Sequence, residues 1–275
     1  MNPEAVTKVV KKYGNSGGVY LPSSWIGGRV EIGLVSRPLK PEKDLTLALA
    51  GRMEHIVSIL VYGSYARGEQ AGDSDIDVIV VTDNHAKGMR VPEGLKGMNY
   101  DVRIMAADEI RRMAGRDILL GKSLESAKAI LNDSFLDELK SIKPKGGLRE
   151  RIGLAKSSLA IMKSIFEAGG GTADRRRQET PSSSVELVYP LIMRIKEMLL
   201  MECALEGRKY SLKLLEDRIR AKGISESDYR KLMAYYRAVR DGKKPGKLQL
   251  GGHTIEKLLG LLEEMTDNAE KKQKA

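Results

Sequence analysis

The sequence predicts an α+β protein: a small mixed-sheet domain preceded by a short β-hairpin module and followed by an antiparallel helical bundle. Three observations predict it. The apolar, β-branched run Ile56–Tyr62 is followed by two more strand-length runs, Ile76–Val81 and Tyr100–Met105, with helical spacing around them. The first 35 residues alternate short extended runs with glycine-rich turns. After Lys143-Pro144-Lys145-Gly146-Gly147 the pattern is helical to the end of the chain.

In the N-terminal module, residues 1–36, Val6–Lys12 is a β-branched and basic run, and Tyr13-Gly14-Asn15-Ser16-Gly17-Gly18 reads as a turn. Val19–Pro22 and the alternating Arg29–Leu34 read as further extended segments. So few residues cannot bury enough apolar surface alone, so dimerisation or docking is expected. Arg37–Lys43, with two prolines, is a linker. The central domain, residues 42–143, opens with Glu42–His55, where Leu45, Ala48, Leu49 and Met53 fall on one helical face. Behind the three strands come a helix, a short strand at Lys128–Leu131 and a helix at Phe135–Ile142. The last segment, residues 147–275, holds helices at Leu148–Glu167, Val185–Glu206, Ser211–Lys222, Ser225–Arg240 and Thr254–Asn268, with Ser211, Ser225 and Thr254 near their starts. Gly169–Ser184 is polar and glycine-rich and reads as a mobile loop.

Composition narrows the chemistry. No apolar run in the 275 residues approaches the ~20 that a bilayer span needs, and the basic start MNPEAVTKVVKK leads into no apolar stretch. No membrane partner is expected. The single cysteine, Cys203, can form neither an internal disulfide nor a thiolate zinc cluster, so the reducing cytoplasm is the expected setting and any metal falls to carboxylates. The net charge is +10, unevenly spread. Residues 1–35 hold 4 basic and 2 acidic side chains, residues 36–144 hold 16 and 17, and residues 145–275 hold 27 and 18, for nets of +2, −1 and +9. The surplus therefore lies in the helical segment, which either meets an anionic partner or simply keeps its helix surfaces solvated. Aromatic content of 5% argues against binding single strands by base stacking.

The chemistry concentrates in one stretch, Leu60–Val81. Asp75 and Asp77 sit two apart at the start of an apolar strand, and the two-residue period points both carboxylates to one face. Adjacent carboxylates repel, and a cation with a preference for hard oxygen ligands, Mg²⁺, is the natural neutraliser. Gly63-Ser64 ends the previous strand and opens a helix, freeing backbone N–H groups and a hydroxyl to hold phosphate oxygens. Phosphoryl or nucleotidyl transfer is the reaction implied.

The arrangement GS, ten residues, then DxD resembles the DNA polymerase β-like nucleotidyltransferase superfamily, and GSYARGEQAGDSDID is most similar to its minimal nucleotidyltransferase branch. That family supplies a third carboxylate from a neighbouring strand, and Asn99-Tyr100-Asp101-Val102-Arg103-Ile104 offers Asp101. By this resemblance Asp75 and Asp77 bind two Mg²⁺ ions, while Asp101 joins one of them and helps deprotonate the acceptor hydroxyl. Gly63 and Ser64 hold the triphosphate of an NTP, with ATP favoured, and Arg67 assists. The plainer readings are that Asp101 pairs with Arg103 on a polar strand face and that Arg67 is a surface arginine. Asp73 and Ser74 shape the turn, and His55 and His85 are ordinary surface residues.

Two further resemblances frame the flanks. VTKVVKKYGNSGGVYLPSSWIGGRVEIGLV is similar to the swapped hairpins of AbrB-like proteins, which implies a homodimer and DNA contacts at Lys8, Lys11, Lys12 and Arg29, or dimerisation alone. Tyr235–Gly242 and the final helix have a faint HEPN character, but Arg240 and His253 stand too far apart for a ribonuclease pair, so no ribonuclease activity is expected. The expected function is transfer of NMP, with AMP favoured, to a hydroxyl acceptor, a protein before an RNA or a small molecule, engaged through the basic helical half. The alternative is an antitoxin-like DNA-binding regulator with a secondary or inert catalytic domain.

Overall fold

The computed structural model describes residues 6–33, 39–69, 75–83, 89–96, 98–144, 146–169, 185–250 and 253–274. The expected loop 169–184 lies outside these residues beyond Gly169, as do Asp73, Ser74 and His85. The chain divides into two compact units, residues 1–39 and 40–275.

In the first unit, β1 (Lys11–Tyr13) pairs antiparallel with β2 (Ser16–Gly18) in the register Lys11↔Gly18, Lys12↔Gly17 and Tyr13↔Ser16. Gly14 takes φ 57° in the two-residue loop, as a turn with glycine in its first central place demands. The hairpin therefore sits later than expected: the basic run enters a strand only at Lys11, and Ser16–Gly18 belongs to a strand rather than to the turn. Neither Val19–Pro22 nor the described part of Arg29–Leu34 is a strand. The physical reason is the shortage of partners, since an isolated two-stranded ribbon has little to hold a further strand. The unit has an edge-to-face pair, Tyr13 and Tyr20 with centroids 5.9 Å apart. Val9, Tyr20, Ile26 and Ile32 are left exposed.

The second unit begins with α1 (Pro41–Leu49), which tightens into a 3₁₀ turn over Ala50–His55 and buries Leu45 and Leu49 on one side. Four strands follow: β3 (Ile56–Tyr62), β4 (Ile76–Thr82), β5 (Tyr100–Ala106) and β6 (Lys128–Leu131). They form a mixed sheet in the order β5-β4-β3-β6, with β4 and β5 parallel and the other pairs antiparallel. The short helix α2 (Gly63–Ala66) leaves the end of β3. The central strands are buried on both faces, which explains their nearly unbroken apolar sequences.

A single helix was expected between β5 and β6. The chain instead makes α3 (Ala107–Arg116) and α4 (Ile118–Glu125), divided at Asp117, whose carboxylate accepts from Leu119 N–H at 2.9 Å and pairs with Arg151 at 2.9 Å. The break has a use. Leu124 of α4 joins the core formed by Leu60, Ile79 and Val81 with Ile110 of α3, while Ile118 joins the core of the later helices. Helix α5 (Asp133–Ser141) adds Phe135, Leu136 and Leu139 to the sheet side.

The helices α6 (Leu148–Ala168), α7 (Val188–Leu205), α8 (Leu212–Arg220), α9 (Glu226–Arg240) and α10 (Thr254–Lys274) share one core around Leu191, Ile192, Ile195 and Leu199 of α7. Ser211 and Ser225 cap α8 and α9, accepting from Leu214 N–H at 3.1 Å and Asp228 N–H at 3.0 Å. Helix α10 runs past the expected end at Asn268, because Ala269 still reaches the core and Glu270 pairs with Lys156 at 2.5 Å. Among the described residues no helix is long and apolar enough to cross a membrane.

Candidate active site

The end of β3, the start of β4 and the start of β5 meet at one edge of the sheet. Tyr62, Asp77 and Asp101 stand in a row there, Tyr62 opposite Asp77 across the antiparallel pair and Asp77 opposite Asp101 across the parallel pair. Strand alternation puts the three side chains on one face, that of Leu60 and Ile79. Asp75 lies two residues ahead of Asp77 and is exposed.

The electrostatics follow from that row. Burial pushes the Asp77 carboxyl above its ordinary value, and the charges of Asp101 and Asp75 push it the same way, against the pull of Arg103 and Arg240. Burial also raises the Tyr62 hydroxyl to about 12. Asp101 is the more exposed carboxylate and has Arg103 at 3.9 Å, so the strand-face pairing read as the plainer alternative is present. Among the described residues no group of three His, Cys, Asp or Glu side chains is drawn together closely enough to hold a metal ion. Like charges do not gather without a counter-charge.

Gly63 explains why the turn after β3 needs glycine. It takes φ 72°, and a Cβ at this position would lie 2.0 Å from Asp77 Oδ2. The backbone therefore packs directly against the carboxylate, and Ser64 follows in the first turn of α2. Arg67 makes two contacts: its Nε donates to Glu69 Oε2 at 2.7 Å and its guanidinium lies 5.2 Å from the centre of the Tyr210 ring. Glu69 Oε1 accepts from Leu212 N–H at 2.9 Å, so the segment after α2 is tied to the start of α8.

The helical segment also acts on the Asp77 charge. Arg240, at the end of α9, and Lys196, on α7, both lie within the electrostatic influence of Asp77. Sequence reasoning missed Lys196, and gave Arg240 weight only as half of an absent ribonuclease pair. One signal was available: in VYPLIMRIKEMLLMECAL, Lys196 is one of few charged residues in an otherwise apolar helix.

A glycine turn packed on a strand carboxylate, with a second carboxylate in register beside it, is an arrangement that could serve phosphoryl or nucleotidyl transfer with a bound cation. A family model described as a nucleotidyltransferase domain matches residues 48–159, from the end of α1 to the middle of α6. Those residues form a nucleotidyltransferase domain of the DNA polymerase β-like superfamily, and the protein is a nucleotidyltransferase. Among solved structures, one described as a toxin-antitoxin with AMP-PNP is 19% identical, covers 46% of this chain and 98% of its own, and superposes with a TM-score of 0.26. A nucleotidyltransferase-like protein from Exiguobacterium sibiricum 255-15 is 14% identical, covers 83% of this chain and 75% of its own, and has a TM-score of 0.31. At these scores the family match alone assigns the domain. Comparison with curated proteins gave no match.

Proposed function

We propose that the enzyme moves a nucleoside monophosphate, AMP before other nucleotides, from an NTP to a hydroxyl on a protein acceptor. The observation that carries this reading is the Asp77–Asp101 register with Gly63 packed against Asp77. The donor set suits Mg²⁺: the groups are carboxylate oxygens, and the charged form of Asp77 is disfavoured in the absence of a counter-ion. Asp75, Asp77 and Asp101 are the residues that would hold two such ions. When bound, the metal neutralises the carboxylates and the charge that develops on the attacking and leaving oxygens.

The protein's own groups supply the rest. Gly63 and Ser64 offer backbone N–H groups and a hydroxyl to the triphosphate, while Arg67 frames the turn through Glu69. Asp101, exposed at the sheet edge, takes the proton of the acceptor hydroxyl. The hydroxyl oxygen forms a bond to the α-phosphorus, the bond from that phosphorus to its bridging oxygen breaks, and the electron pair leaves with pyrophosphate. The net charge of +9 over residues 145–275 supports an acidic acceptor surface for the helical half.

Incubation with labelled NTPs and candidate acceptors tests the reading. Transfer of label that is lost in the double variant Asp75→Asn, Asp77→Asn is the expected result, and equal transfer by that variant would sink it. The exposed Val9, Tyr20, Ile26 and Ile32 of the hairpin unit support a second role, homodimerisation through that unit, which DNA contact at Lys8, Lys11, Lys12 and Arg29 would extend. Salt-sensitive DNA binding that disappears on deletion of residues 1–35 is the corresponding test.

A further inference from the structure

The turn that carries Ser64 is too short to hold itself. Helix α2 has four residues, its bond from Arg67 N–H to Gly63 O is long at 3.4 Å, and a single helical turn is far from stable alone. The Ser64 carbonyl is held from beyond the helix, accepting from Glu69 N–H at 2.9 Å. Glu69 is in turn the residue that α8 grips: Leu212 N–H donates to its Oε1 at 2.9 Å, and Arg67 Nε donates to its Oε2 at 2.7 Å. A line of hydrogen bonds thus runs from the first residue of α8 through Glu69 to Ser64.

Stability alone does not explain this arrangement. The Arg67 and Glu69 side chains are only 18% and 20% exposed, and an ion pair so enclosed offsets little more than its own desolvation. Tyr210, two residues before Leu212, lays its ring 5.2 Å from the Arg67 guanidinium. Its hydroxyl is buried and has no hydrogen-bond partner among the described residues, a cost that a phenylalanine would not carry. One short segment, Tyr210 to Leu212, therefore clasps both Arg67 and Glu69. The residue held at the far end of the clasp is Ser64, beside the glycine that packs against Asp77.

We infer that Glu69 is a positioning residue: through it the Tyr210–Leu212 segment fixes the Gly63-Ser64 turn in the geometry that receives the triphosphate, so nucleotide affinity depends on the start of α8. This rests on the reading of that turn as the triphosphate site. Leu212 enters the line by its N–H alone. It is the first residue of α8, where the amide has no partner within the helix, and Ser211 before it is extended at φ −147° and ψ 158°. Both conditions suit proline at position 212, which removes the donor and leaves α8 its start and its Ser211 cap.

Calorimetric titration of the full chain, with Mg²⁺, against α,β-methylene-ATP and against AMP tests it in the wild type, Leu212→Pro and Leu212→Ala, together with hydrogen exchange at the Glu69 amide. Leu212→Ala trims the side chain and keeps the donor. The expected result is triphosphate affinity about tenfold weaker in Leu212→Pro, with AMP affinity unchanged and faster exchange at the Glu69 amide, and neither change in Leu212→Ala. Glu69→Ala cuts the same bond from its other end and should show the same loss of triphosphate affinity, so the inference stays testable if Leu212→Pro melts below the assay temperature. Equal triphosphate affinity in the wild type and Leu212→Pro would overturn the inference. So would a loss shared by Leu212→Ala, which assigns the effect to packing, or a loss as large for AMP. A wild type that binds neither nucleotide would fail the reading of the turn as a triphosphate site, and the inference with it; a wild type that binds α,β-methylene-ATP beside a Leu212→Pro that binds it equally would fail the inference alone.

Discussion

Asp77 and Asp101 face each other across adjacent parallel strands, and the Asp77 carboxyl is raised by burial and by its neighbour's charge. Its folded-state pKa lies above the unfolded value of 3.8, so stability falls as pH rises from that value through the folded pKa, and the cost persists at neutral pH. The variant Asp77→Asn should lose transfer yet, without metal, melt higher than the parent protein at pH 7. The gain should vanish near pH 3. Thermal melts of both proteins across pH check this, and a lower melting temperature for Asp77→Asn at pH 7 would contradict it.

Gly63 is the position where the backbone tolerates no side chain. In Gly63→Ala the φ of 72° is strained by ~1–2 kcal/mol, and the new methyl must displace the Asp77 carboxylate, which a Cβ would meet at 2.0 Å. Displacing a reacting group by an ångström can cost about 100-fold. Transfer should therefore fall by ~100-fold or more while the fold survives, as steady-state kinetics and melting would show.

Glu69 links the segment after α2 to α8 with both carboxylate oxygens, one accepting from Arg67 and one from Leu212 N–H. Its replacement, Glu69→Ala, leaves two donors unpaired and should cost ~2 kcal/mol. Hydrogen exchange would show faster exchange at the Leu212 amide than at the Leu214 amide, which Ser211 still caps. Unchanged protection at Leu212 would argue against the tie.

Residues 40–275 form a compact unit with its own cores. Deletion of residues 1–39 should leave the melting temperature within ~2 °C of the full chain, and transfer should survive. If the hairpin unit dimerises the protein, light scattering should report a mass near that of the monomer only after the deletion.

The sheet was legible because its central strands are nearly continuous apolar runs: Ile56–Tyr62 is a strand at the residues expected, as is Lys128–Leu131, and the strand starting at Ile76 runs one residue further, to Thr82. The helix after β5 was less legible, since nothing in the apolar spacing marks the break at Asp117; the break depends on capping by that residue and on Arg151, 34 positions away. The hairpin module was overread. Alternation at Arg29–Leu34 imitates a strand, but alternation becomes a strand only with a neighbour to pair with.

The sequence by itself determined the nucleotidyltransferase framework, because Gly63, Ser64, Asp75 and Asp77 lie in one short stretch whose spacing is tied to a strand, a turn and a strand. What only the tertiary structure decided is which distant residues surround that stretch. The Glu69–Leu212 contact joins residues 143 positions apart, and Lys196 and Arg240 act on the Asp77 charge from helices whose local pattern reports only a core-facing stripe. Hydrophobic periodicity records which face of a helix is buried; it carries no record of what charge lies across the gap.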